Sequence, residues 1–148
     1  MKTMLNVEER NALIARITTL TGTEKSLWGK MSVSQMVEHS IRWEEMMTGE
    51  RKIKPVWLRY LFGKMALKSM IGDDKPLKHS TPTFKELKIE ETDGNFEKQI
   101  KKWIGLLEAY QHPRGTKIVH PFFGKMTSEQ TGRLAYKHTD HHLRQFGR

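Results

Sequence analysis

The sequence predicts an all-α fold: a four-helix bundle in a single domain covering residues 1–148, with a long crossover between its second and third helices that includes a short extra helix. Three observations carry that expectation. Four segments open on a capping side chain and continue with apolar residues at helical spacing. The stretch between the second and third of them is broken by Gly72, Pro76 and Pro82 and keeps no such period. Finally, 148 residues without repeats, low-complexity tracts or a linker suit one hydrophobic core.

The first helix opens at Asn6, where Glu9 stands in the capping-box position, and runs to about Leu20 on the stripe Leu13, Ile14, Ile17, Leu20. Thr21-Gly-Thr breaks it. The second opens at Ser32 with Gln35 in the box position and reaches about Met47, ahead of Thr48-Gly49. Val56-Trp-Leu-Arg-Tyr-Leu-Phe-Gly reads as the short extra helix, continuing towards Met70, and residues 71–91 as a long connection. The third helix begins near Asp93 or Asn95 on the stripe Phe96, Ile100, Trp103, Leu107, Tyr110. The fourth opens at Thr127, with Gln130 completing a box, and ends at Gly147.

Composition narrows the function classes. No run of apolar residues is long enough to span a bilayer, and the N-terminus lacks the apolar core of a secretory signal, so the expectation is a cytoplasmic protein without a membrane partner. The net charge is +9, from 26 basic and 17 acidic residues, but the basic residues are dispersed and the densest patch, Arg51-Lys-Ile-Lys54, is short. No nucleic-acid-binding motif accompanies them, so no nucleic-acid partner is expected. Cysteine is absent, which excludes disulfides and thiolate ligands from the chain and leaves His, Asp and Glu for any metal.

Histidine is where the sequence becomes specific. In Lys137-His-Thr-Asp-His-His142, His138 and His142 lie four apart and project from one helix face, whereas His141 cannot easily join them. On a helical wheel Arg133, Lys137, Asp140 and Arg144 define the expected solvent side. His138 and His142 lie opposite, with Thr131, Ala135, Gln145 and Phe146. Catalytic metal sites commonly use three protein ligands, and the third candidate is His39 on the second helix, sharing a face with Gln35, Met36, Trp43 and Met46. Val37 and Ile41 lie nearly opposite, so this helix should be buried on two sides. Spacing alone leaves both metal binding and ordinary core packing open for these histidines. Of the others, His79 and His112 flank turns and should be exposed, and His120 precedes Pro121 in the loop before the fourth helix. Met31, Met36, Met46, Met47, Met65 and Met70 are spaced as core and gap-filling residues rather than as copper ligands.

Two segments resemble a known family. His120-Pro-Phe-Phe-Gly-Lys-Met-Thr-Ser-Glu-Gln-Thr-Gly-Arg-Leu-Ala-Tyr-Lys-His-Thr-Asp-His-His-Leu-Arg-Gln-Phe-Gly147 is similar to the C-terminal signature of an uncharacterised branch of the DinB/YfiT metal-binding superfamily. Trp28-Gly-Lys-Met-Ser-Val-Ser-Gln-Met-Val-Glu-His39 resembles that branch's second-helix motif. The resemblance implies a DinB-like four-helix bundle holding one divalent metal ion on one histidine of the second helix and two of the fourth; three imidazoles suit zinc, nickel, iron(II) or copper, and nothing in the sequence chooses among them. The matching positions are His39, His138 and His142. Residues 50–91 carry little of the resemblance.

Three neutral imidazoles leave such an ion its full charge and an open position, where it can activate water or hold a thiolate. Relatives within the superfamily include thiol-dependent S-transferases and isomerases. The resemblance therefore implies a metal-dependent S-transferase or hydrolase acting on a small-molecule substrate, with a low-molecular-weight thiol as cosubstrate. The alternative is a non-catalytic bundle with a structural or vestigial metal site, serving as a binding or stress-response module. Gln145, one turn beyond His142, and Arg42, one turn from His39, are the candidates to support the site or its ligand, and Glu38 points away from it. A homodimer is allowed by the sequence.

Overall fold

The computed structural model describes residues 1–79, 81–92, 94–112 and 118–148, and the chain is mostly helical. Its α-helices are α1 (Val7–Thr18), α2 (Val33–Thr48), α3 (Lys64–Ile71), α4 (Phe96–Glu108) and α5 (Ser128–Gln145). Asp93, an alternative start for the third long helix, lies outside the described residues.

The reciprocal caps form at α2 and α5. Ser32 accepts from the Gln35 N–H while the Gln35 side chain accepts from the Ser32 N–H, and Thr127 and Gln130 repeat the exchange. At α1 only half of the expected box is made. Asn6 accepts from the N–H groups of Glu8 and Glu9, but the Glu9 carboxylate turns to the Thr3 N–H at 2.6 Å. The reason is tertiary: the N-terminal residues fold back onto α5, where the Met4 N–H donates to Gly132 O. Asn95 caps α4 through Lys98 N–H. The helix stops at Glu108 and tightens into a 3-10 turn over Ala109–Gln111, short of the regular helix expected through Tyr110.

Helix α2 packs against α4, and α1 lies against both α4 and α5. Helix α5 also touches α2 and α3, so it is enclosed on most sides. The core between them includes Met4, Leu13, Ile17, Met36, Val37, Ile41, Met47, Trp103, Leu107 and Leu143. Both Val37 and Ile41 are buried, so α2 is covered on two faces as its wheel implied. The wheel of α5 needs correction. Arg144 is exposed, but Lys137 is buried at 9% exposure, with its ammonium on the Asp73 carbonyl at 3.0 Å and near its carboxylate. Asp140 is half-buried between Arg16 and Arg144. The crossover and α1 cover a face that the sequence pattern assigned to solvent.

Two further corrections concern the elements between the long helices. A two-stranded antiparallel hairpin, β1 (Ile118–His120) with β2 (Gly124–Met126), precedes α5 where the all-α expectation had only a loop. Gly124 at φ +73° lies at its turn, and the His120 ring accepts the N–H groups of Phe122 and Phe123 at 3.1 Å each. In place of a helix from Val56 there is a π-helical turn, Arg59–Gly63, leading into α3, and a 3-10 turn, Lys85–Leu87, carries Leu87 into the core. Among the described residues no helix is long and apolar enough to cross a membrane.

Candidate metal centre

Three histidine side chains converge where α2 crosses α5. One ring nitrogen from each of His39, His138 and His142 lies within 4.8 Å of the other two. The ring centroids are 5.4 Å apart for His39 and His138, 4.9 Å for His39 and His142, and 4.6 Å for the α5 pair. A tetrahedral ion with bonds of ~2.1 Å sets its nitrogens about 3.4 Å apart, so small ring movements separate this arrangement from coordination. Among the described residues the group consists of imidazoles alone, a donor set that fits a borderline cation and not a hard one.

For two of the rings the neighbours fix which nitrogen is free. His39 Nδ1 lies 2.8 Å from the Leu87 carbonyl, which can only accept, so Nδ1 carries the proton and Nε2 keeps its lone pair. Gln145 Nε2 donates to the Trp28 carbonyl at 2.8 Å, which turns its Oε1 towards His142 Nδ1 at 2.9 Å. His142 therefore also has Nδ1–H and a free Nε2. His138 is held by stacking: its ring lies on the Trp43 indole with centroids 4.2 Å apart and planes 11° from parallel.

Burial keeps all three rings neutral. It lowers the His142 pKa to about 3, helped by His39, and pushes His138 well below the ordinary value, helped by His142 and His39. His39 is lowered too, through burial, with the Leu87 carbonyl acting in the other direction. Three neutral imidazoles facing one another, two of them with an unprotonated Nε2, offer lone pairs to one point in space. Such a group can hold a metal ion.

The remaining candidates separate from this centre to different degrees. Gln145 is part of it, as the partner of His142. Arg42 ion-pairs with Glu38 at 2.9 Å and reaches towards the Lys88 carbonyl at 3.4 Å, beside the turn that carries Leu87. Glu38 also accepts from Gln99 on α4 at 3.2 Å. His141 hydrogen-bonds the Leu77 backbone and faces Trp28, which stacks on exposed His79 at 3.8 Å. His112 is exposed as expected. His120 is buried in the hairpin turn, its ring 4.4 Å from that of Phe123; burial holds its pKa down to about 4, and it is close enough to His138 to act on it electrostatically.

Sequence reasoning missed three supports: the Leu87 carbonyl, the Trp28 carbonyl and the Trp43 stack. Only Trp43 left a usable signal, one turn after His39 on the same face. The Trp28 contact leaves a trace in Gly29, at φ +81°, where a Cβ would come within 2.7 Å of Gln145 Nε2.

A family model described as protein of unknown function (DUF1569) matches residues 1–148, and the chain belongs to that family. No curated protein and no solved structure matches it.

Proposed function

We propose that this member of the DUF1569 family binds one divalent metal ion through Nε2 of His39 and His142 and a ring nitrogen of His138, and that it is a metal-dependent enzyme of the S-transferase or hydrolase type. The observation that carries this reading is the convergence of three neutral imidazoles from two helices, His39 and His142 buried and His138 half-buried, with the first two oriented by hydrogen bonds that leave Nε2 unprotonated. The resemblance of residues 28–39 and 120–147 to DinB/YfiT-like proteins, with their thiol cosubstrates, belongs to this proposal and adds the expected chemistry.

When bound, a divalent ion supplies Lewis acidity towards a thiol or water in its remaining position. The protein's own groups do the rest. Leu87 O and Gln145 Oε1 hold two rings in place and raise their basicity as ligands. Trp43 gives the third ring an apolar backing. Neutral ligands leave the ion's charge uncompensated, which favours an anionic occupant of the open position, and the chain's net charge of +9 favours the approach of one.

Cobalt(II) loading tests the reading. Addition of a low-molecular-weight thiol should produce a sulfur-to-cobalt charge-transfer absorption in the near ultraviolet in the wild-type protein and none in His142→Ala. A cobalt spectrum that thiols leave unchanged would count against the thiol chemistry, and would favour a closed, structural site.

A further inference from the structure

Exposed apolar bulk is concentrated in one short stretch, remote in sequence from the histidines. Of the ten large hydrophobic side chains exposed among the described residues, six fall between positions 57 and 65: Trp57, Leu58, Tyr60, Leu61, Phe62 and Met65. Their exposures run from 39% at Leu58 to 76% at Tyr60. Single exposed apolar residues are ordinary, but six within nine positions make a patch of the kind that marks an interaction surface. Met65 in particular is not the core residue its spacing suggested.

The patch cannot simply turn inward, because the inner side of the segment is already filled. Gly63 lies so close to the hairpin that a Cβ there would strike the Phe122 carbonyl, and the Val56 N–H donates to Pro121 O at 3.2 Å. Leu67 and Ile71 of α3 occupy the core below. The segment is thus pinned on one side and bare on the other.

Its charge is of one sign. Residues 51–72 contain Arg51, Lys52, Lys54, Arg59, Lys64 and Lys68 and no acidic residue. All four lysines are exposed. Arg51 is paired with Glu45 at 2.7 Å, but a two-fold contact with a second copy would set the four exposed lysines against themselves, with no carboxylate from residues 51–72 to offset them.

We propose that this segment docks the protein on an anionic lipid surface. Trp57 and Tyr60 have the apolar body and polar tip that suit the headgroup boundary, Leu61, Phe62 and Met65 enter the acyl layer, and the lysines lie among the phosphates. The expectation of no membrane partner rested on the absence of a spanning segment, and peripheral docking requires none. A duplex or single-stranded nucleic acid would share the charge but would leave the aliphatic side chains without an apolar partner.

The test is co-sedimentation of the full chain with vesicles of phosphatidylcholine, alone or with about 30 mol% phosphatidylglycerol, read also by tryptophan emission. Trp57, 69% exposed, is the tryptophan positioned to report, since Trp43 and Trp103 are buried and Trp28 is half-buried. Partitioning to the anionic vesicles should be stronger by about tenfold or more, with a blue-shifted emission and a steep loss at high salt. The double variant Leu61→Ser/Phe62→Ser should abolish it, and Lys52→Glu/Lys54→Glu should weaken it several-fold; both change only exposed or rim side chains. The proposal is overturned if anionic vesicles bind no protein, if neutral vesicles bind it equally, or if a single-stranded oligonucleotide displaces it from the vesicles. It is equally overturned if sedimentation velocity shows a dimer that Leu61→Ser/Phe62→Ser dissociates, because the patch would then be covered by a second copy.

Discussion

Replacing Glu44 with glutamine should remove one contribution that lowers the protein's stability as pH rises from mildly acidic to mildly alkaline values. Glu44 is 1% exposed on α2, where that helix packs against α4. One carboxyl oxygen accepts from the Tyr110 hydroxyl at 2.8 Å, and the other is buried with no partner among the described residues. Burial pushes its pKa up to about 8, against the lowering effect of the Tyr110 bond, from an ordinary value of 4.5. A folded-state value above the unfolded one means that the folded chain holds the proton longer. The Glu44 contribution to stability therefore falls as pH rises past 4.5 and levels off beyond about 8, while the buried histidines, lowered in the folded chain, act in the other direction and equally in both proteins. The separation of the two values corresponds to about 3 kcal/mol lost between about pH 5 and about pH 8. Glutamine keeps the size and the acceptor for Tyr110 but carries no titrating proton. Urea-unfolding midpoints of both proteins, taken in chelator at the two pH values, should coincide closely near pH 5 and separate near pH 8, with the variant the more stable. Parallel pH profiles for the two proteins would refute the assignment of a buried, protonated Glu44.

Other predictions bear on the centre and on its surroundings. Gln145→Leu removes the acceptor that orients His142 and should weaken metal affinity about 10- to 100-fold without changing stoichiometry, as measured by competition with a chromophoric chelator. Gly29→Ala touches no ligand, yet its Cβ would displace Gln145 Nε2, so affinity in the same assay should fall in the same direction; an unchanged affinity would show that the Gln145 contact does not matter. Glu24, held to a pKa of about 2 because bonds from Thr21 and the Arg148 guanidinium outweigh its burial, should stabilise the protein above its ordinary value of 4.5. That contribution is lost as pH falls from 4.5 towards 2, so Glu24→Gln should cost about 1 to 3 kcal/mol near neutrality and nothing in strong acid, read from acid-unfolding curves.

What was legible in the sequence is what local chemistry determines. Ser32 with Gln35 and Thr127 with Gln130 announce α2 and α5 because a cap and its partner are three residues apart and need nothing else. The α5 histidine pair was legible for the same reason, as was the poor geometry of His141. Asn6 with Glu9 shows the limit: the pattern is as good, but Thr3 competes for the carboxylate once the N-terminus folds onto α5. Lys137 was misplaced because Asp73, in a crossover with no periodicity, returns to cover it. Leu87 and Trp28, whose carbonyls organise the centre, lie 48 and 117 residues from the side chains they hold, and nothing local records such contacts. The three-residue strands of the hairpin are too short to show an alternation.

If His39, His138 and His142 together hold a divalent ion, removing any one of them should release it. Elemental analysis of purified protein after loading with zinc, nickel or iron(II) and desalting tests it most directly. About one ion per chain should remain in the wild type and in His141→Ala, and each of His39→Ala, His138→Ala and His142→Ala should lose it. Stoichiometric metal that survives loss of any of the three, or a wild-type protein that retains none, would rule out a three-histidine metal centre.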